Sequence, residues 1–320
     1  MNISKFLFLW LLIITILMAL SSSSLMALWL CLEINMMSFI PLMNYKNMIS
    51  TEGLTLYFIV QALASSIFIF SISFFLLNWI FLKKLTFLMT SSMLIKLGTA
   101  PFHFWFPQIS EGLSFTTFFI LTTIQKFIPL HILTFMNANT LPIFILLSAT
   151  IGSLGGFSQF SVRKILAFSS IAHLSWMLSL IYTESNLWLI YLIVYMSLIG
   201  SILIFISMTS INFINQVNPN SFNMYNMSLI ISFLSLGGMP PFLGFFMKWM
   251  TMKVLMIHAL ILLTPLILSS LINLYFYTRI LYPLVLKLYS TNKNTLSLNS
   301  PLMMMLTFQS SMIFLMIPLI

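Results

Sequence analysis

The chain has 320 residues, 60% of them hydrophobic and only 5% charged, with a formal net charge of +9 and a mean hydropathy of +1.09. A soluble domain carries about 25% charged residues, so this composition cannot cover a water-facing surface and predicts an all-α polytopic membrane protein. The basic residues are scattered singly or in pairs, without the long runs that would point to nucleic acid, and the lone Cys31 excludes a disulfide, an iron–sulfur centre or a cysteine-based zinc site within this chain.

An apolar stretch of about 17–25 residues crosses a bilayer as a helix. Eleven such spans are predicted, over 4–20, 25–43, 54–81, 85–106, 113–135, 141–160, 164–182, 187–207, 225–250, 255–283 and 302–320. The first is followed by four serines and another apolar run, without a small-residue cleavage site; it reads as a membrane helix rather than a leader. Lys5, Lys46, Arg163, Lys164, Lys287 and Lys293 fall on the N-terminal side, and Lys83, Lys84 and Lys253 on the other. The excess places the N-terminus on the cytoplasm-like face, and an odd number of spans places the C-terminus across the membrane.

Two spans are interrupted at matching points. Gly98-Thr-Ala-Pro101-Phe102-His-Phe-Trp105-Phe106 aligns with Gly238-Met-Pro-Pro241-Phe242-Leu-Gly-Phe245-Phe246. The second copy also carries Gly237 and Pro240. The copies lie in spans four and nine, an odd offset that gives them opposite orientations. Recurring Gly/Pro-interrupted helices point to a transporter built from inverted repeats, with its site at the breaks.

The ionisable residues at bilayer depth form a short list. Glu33 lies in span two, Lys96 in span four, Lys126 in span five, Lys248 in span nine and His173 in span seven. A charge at mid-helix costs about 2.5–3.5 kcal/mol on insertion scales, so these groups need compensation inside the bundle. For Lys248, snorkelling to a helix end is the simpler reading. For Glu33, Lys96 and Lys126 it is a static buried ion pair. His173 shares a helix face with Ser169, Ser170 and Trp176, which suits a packed histidine as well as a proton relay. His103, His131 and His258 lie nearer helix breaks or ends, and Glu111, Glu184, Lys83 and Lys84 read as loop charges.

Burial favours a neutral amine and a nearby carboxylate favours the ammonium, so a buried lysine with a carboxylate partner holds a proton in two states. Helix breaks free carbonyls that ordered water can join, and water then links the side chains. Moving one charge against 100 mV costs about 2.3 kcal/mol, so a driver is needed. The sequence has no phosphate-binding loop and no paired histidines for haem; the energy must arrive through a partner or a gradient.

The stretches Lys96–Gly112 (KLGTAPFHFWFPQISEG), Arg163–Trp176 (RKILAFSSIAHLSW) and Leu236–Trp249 (LGGMPPFLGFFMKW) resemble the signatures of the antiporter-like proton-translocating subunits of respiratory complex I. The resemblance runs over nearly the whole chain, and the Met-, Ile-, Phe-, Asn- and Ser-rich composition resembles an AT-rich mitochondrial gene product of an invertebrate. It implies two inverted five-helix repeats (approximately 1–135 and 140–283), each with a broken helix, plus a trailing helix at 302–320. It implies a coupling pair of Glu33 and Lys96, a central relay at Lys126, a far gate at Lys248 and, less securely, a relay at His173. Phe168 stands where relatives often have tyrosine, so a hydroxyl is missing from that stretch. The resemblance further implies no cofactor in this chain and a place in the mitochondrial inner membrane with the N-terminus in the matrix. Its implied partners are chains 4L and 4, accessory subunits, cardiolipin and other lipids. A stand-alone cation/proton antiporter and a scaffold that passes charge but no proton are the competing readings.

Overall fold

The computed structural model describes residues 3–44, 48–77, 82–136, 139–209, 212–213, 216, 224–290 and 309. The predicted eleventh span, Gln309 apart, lies outside the described residues, as do Lys46 and Lys293. The described chain is helical throughout, with one isolated antiparallel bridge between Ser161 and Phe213. In order, the helices are α1 (Ile3–Ser21), α2 (Leu25–Met43), α3 (Met48–Leu77), α4 (Leu82–Leu97), α5 (Trp105–Gly112), α6 (Phe115–Thr122) and α7 (Ile124–Thr134). They continue as α8 (Leu141–Phe157), α9 (Val162–Tyr182), α10 (Leu187–Thr209), α11 (Met224–Gly237), α12 (Leu243–His258) and α13 (Leu260–Ser290).

Among the described residues, six helical segments are long and apolar enough to cross a bilayer, and three shorter apolar ones accompany them. Leu63, Phe70, Ile257 and Ile261 are among many large apolar residues left exposed, as lipid-facing residues would be. In hydrocarbon every backbone group must be paired internally, which a helix does and an open strand does not. The many serines obey the same demand: Ser169, Ser170, Ser175 and Ser179 each donate to the carbonyl three residues back in α9. A serine-rich stretch can therefore lie inside the bundle without an unpaired hydroxyl.

Two compact units divide the chain, Met1–Ser148 and Ala149–Ile320. In the first, α1 packs on α2, α2 on α3 and α7, α3 on α4 and α5, and α4 on α7. In the second, α9 packs against α10, α12 and α13, and nearly all its residues are buried. A helix buried on nearly every side belongs at a core, and α9 takes that place. Gly152 brings α8 close to α9, since a Cβ there would lie 2.7 Å from the backbone nitrogen of Ala172.

Several predicted boundaries move. The span predicted at 113–135 is not one helix: α6 ends at Thr122 and α7 starts at Ile124, with Thr123 at φ −122° and ψ −75° between them. Pro129, inside α7, has no N–H to offer the carbonyl four residues earlier and crowds it. Glu111 is not a loop residue but lies on α5, and Lys84 lies on α4. Glu184 does lie in a connector, at a positive φ of 54°.

Candidate functional site

The two aligned breaks close in the same way. Gly98 has φ +69° and Gly238 φ +86°, the left-handed conformation that glycine adopts without a Cβ penalty. Gly98 donates to Ile95 O at 3.1 Å and Thr99 to Leu94 O at 3.2 Å. Gly238 donates to Ser235 O at 3.1 Å and Met239 to Leu234 O at 3.2 Å. Each break is thus the same Schellman stop on the residues that the alignment pairs. The chain then turns through proline and phenylalanine before α5 and α12 begin.

After each stop the next segment folds back on the helix it left. In the first unit the Trp105 indole N–H donates to Ile95 O at 3.2 Å, and Gln61 Nε2 donates to Lys96 O at 3.3 Å. In the second, Lys248 Nζ donates to Gly237 O at 2.7 Å. Lys248 is only 4% exposed, so it does not snorkel. It reaches back to the end of α11, and the missing Cβ of Gly238 leaves it room, since that atom would lie 2.9 Å from Nζ. Lys96 lies in the last turn of α4. Both lysines therefore sit at the negative end of the first half of a broken helix, where a cation gains about 0.3–2 kcal/mol. At the second break, proline, glycine and lysine occur together because the stop exposes a carbonyl that the Lys248 ammonium faces.

Lys96 and Lys126 are both buried and line one cavity with Asn35, Tyr57, Gln61 and Gln125. The cavity has room for water, and its polar walls supply partners for one. Lys126 Nζ stands 5.3 Å from the centre of the Phe106 ring, within cation–π range. Glu33 is half-buried, acts electrostatically on Lys96 and lies outside the cavity wall. His103 is held locally at the first break, its Nδ1 3.2 Å from Pro101 O. His131 packs against Phe135 near the end of α7, and His258 is exposed at the end of α12.

In the second unit His173 is buried, with Nδ1 2.8 Å from the Tyr191 hydroxyl and its ring 5.0 Å from that of Tyr195. Tyr191, Tyr195 and Tyr277 are close enough to interact electrostatically. Phe168 itself packs on Gly155, where a Cβ would lie 2.4 Å from the ring. Tyr191→Phe is expected to leave the fold intact and lower stability by about 1–3 kcal/mol, because a buried nitrogen loses its partner. Thermal unfolding of the solubilised protein measures it; an unchanged midpoint would mean the contact carries no weight.

Asn35, Gln125, Gln61 and Tyr191 escape a reading based on charge alone. Among the described residues no cluster of three or more His, Cys, Asp or Glu is placed to hold a metal.

A profile of the transmembrane region shared by NADH:quinone oxidoreductases and Mrp antiporters matches residues 22–273. The chain belongs to the NADH:quinone oxidoreductase/Mrp antiporter family. NADH-ubiquinone oxidoreductase chain 2 of Anopheles gambiae is 41% identical over 91% of this chain and 89% of that one. The chain of that name from Mus musculus is 36% identical over 86% and 84%. In fold, a chain of Thermus thermophilus respiratory complex I superposes with a TM-score of 0.82 at 21% identity, over 88% of this chain and 70% of that one. A chain of the Mrp complex from Dietzia gives 0.76 at 17% identity, over 84% and 58%. The antiporter-family fold thus accommodates the interrupted helices and buried lysines described above.

Proposed function

We propose that this chain is a proton-translocating membrane subunit of mitochondrial respiratory complex I, of the chain 2 type. The observation that carries the reading is the buried polar cavity shared by Lys96 and Lys126, beside a stopped helix in an otherwise apolar bundle. Two ammonium groups in one water-sized space repel, so one proton shared between the two amines is the less costly arrangement. Glu33 and Lys96 act as the coupling pair, Lys126 as the central relay and Lys248 as the far gate. His173, with its tyrosine neighbours, acts as a further relay within the second unit.

The finer architecture is eleven spans, arranged as two inverted five-helix repeats and a trailing helix. The chain resides in the mitochondrial inner membrane with its N-terminus in the matrix and its C-terminus in the intermembrane space. It carries no cofactor. Electron transfer from NADH to ubiquinone takes place in other subunits, and the charge displacement arrives along the membrane from chains 4L and 4. Accessory subunits, cardiolipin and other lipids complete its surroundings.

Lys126→Met tests the relay. A positioned proton-transfer group contributes about 10²–10⁴-fold, so the assembled complex in sealed vesicles should lose most proton uptake per electron. A wild-type proton-to-electron ratio would remove the reading. The fold similarity to the Mrp complex supports a second reading, a stand-alone cation/proton antiporter; purification with NADH:ubiquinone reductase activity separates the two.

A further inference from the structure

Beside Lys96, Lys126 and Tyr57, the polar wall of their shared cavity is made of amides, which do not titrate. Asn35 Nδ2, from α2, donates to Gln125 Oε1 at 3.0 Å, and Gln125 Nε2, from α7, donates back to Asn35 Oδ1 at 3.4 Å. The Tyr57 hydroxyl, from α3, donates to the same Gln125 oxygen at 3.4 Å. A carboxamide oxygen accepts two hydrogen bonds, and neutral donors take both. Gln125 precedes Lys126 in the chain, and Gln61, one turn beyond Tyr57, donates to the backbone of Lys96. The amide pair therefore lies beside the anchor point of Lys126, on the wall of the cavity that both lysines line.

Packing alone does not call for amides here. A buried polar pair replaced on both sides by apolar groups of similar shape costs little. An amide differs from an apolar wall because it donates and accepts hydrogen bonds. It differs from a carboxylate or an imidazole because it does not take up the proton. Beside a water-sized space flanked by two lysines, such a pair aligns water without trapping the charge.

We infer that Asn35 and Gln125 are positioning residues for proton transfer between Lys96 and Lys126, their reciprocal amide pair setting the path of the water that joins the two amines. The inference rests on the proton-translocating reading above. It assigns a task to two residues that carry no charge and lie 90 positions apart.

The test uses the assembled complex in sealed vesicles, with NADH oxidation and proton uptake measured together. Asn35→Ala and Gln125→Ala should each lower coupled proton uptake about tenfold, the scale of losing one buried hydrogen bond at a rate-determining step. The double alanine variant should be no worse than either single one, as for two residues acting as one unit. The exchanged pair, Asn35→Gln with Gln125→Asn, should restore most of the uptake. A volume-matched apolar pair, Asn35→Leu with Gln125→Met, should assemble but not restore it. Should an alanine variant fail to assemble, the exchanged and apolar pairs decide the matter between them. Equal uptake in those two pairs, or wild-type uptake in the alanine variants, overturns the inference. Lys126→Met runs in parallel: if it abolishes uptake while the amide variants do not, only the positioning role falls. If it too pumps normally, the proton-translocating reading falls with it.

Discussion

Gly244→Val is expected to abolish accumulation of the assembled protein. Gly244 lies in the first turn of α12, and even a bare Cβ there would fall 1.7 Å from the Ser235 carbonyl oxygen. That atom belongs to the backbone of α11, so no side-chain rotation relieves the clash. The two halves of the broken helix would have to separate. Overpacking a tight contact costs about 1–3 kcal/mol where side chains can give way, and here they cannot. A change of one or two kcal/mol already shifts the folded-to-unfolded ratio about 5–30-fold. Separation would also pull Lys248, one turn along α12, away from Gly237. Native electrophoresis of solubilised membranes measures the result. Wild-type levels of complex would show that α11 and α12 tolerate a wider spacing than their contact implies.

Lys248→Met should leave a complex that assembles, with reduced stability and with proton uptake per electron well below wild type. The ammonium donates to Gly237 O at 2.7 Å, at the stopped end of α11. Methionine keeps most of the chain length and apolar contact but leaves that carbonyl without its donor, at about 1–3 kcal/mol. Lys248→Arg separates the charge from the shape. Its guanidinium is broad and planar, while the available room is the gap left by the missing Cβ of Gly238. Arginine should therefore restore stability in part and proton uptake not at all. Uptake at wild-type level in either variant would argue against a gate at this position.

Legibility in the sequence followed the range of the physics. The two stops at Gly98 and Gly238 were readable because glycine and proline act on their own backbone, within a turn. The alignment of the two copies carries through to the hydrogen-bond pattern, residue for residue. The second break in the first unit was not anticipated. It falls at Thr123, further from Pro129 than the single turn over which a proline acts. The partner of Lys248 was not legible, because it lies 11 residues away around a break whose geometry sequence distance does not convey.

The amide pair and the histidine–tyrosine contact lie further from view. Asn35 and Gln125 meet across 90 residues, and His173 and Tyr191 across 18. Neither asparagine nor glutamine breaks an apolar pattern strongly enough to announce a site, and tyrosine is common among membrane-facing aromatics.

By itself, the sequence determined the membrane class, the helical secondary structure, the two interruption points and the few groups that carry charge into the apolar interior. Each of these follows from the cost of placing a residue type in hydrocarbon or in a helix, a property local to that residue. Only the tertiary structure decided that Lys96 and Lys126 share a cavity, that neutral amides wall it and that Lys248 turns back to the end of its own broken helix. Those outcomes depend on which helix faces which, and that is set by packing small residues and pairing every buried polar group at once, not by any single stretch of chain.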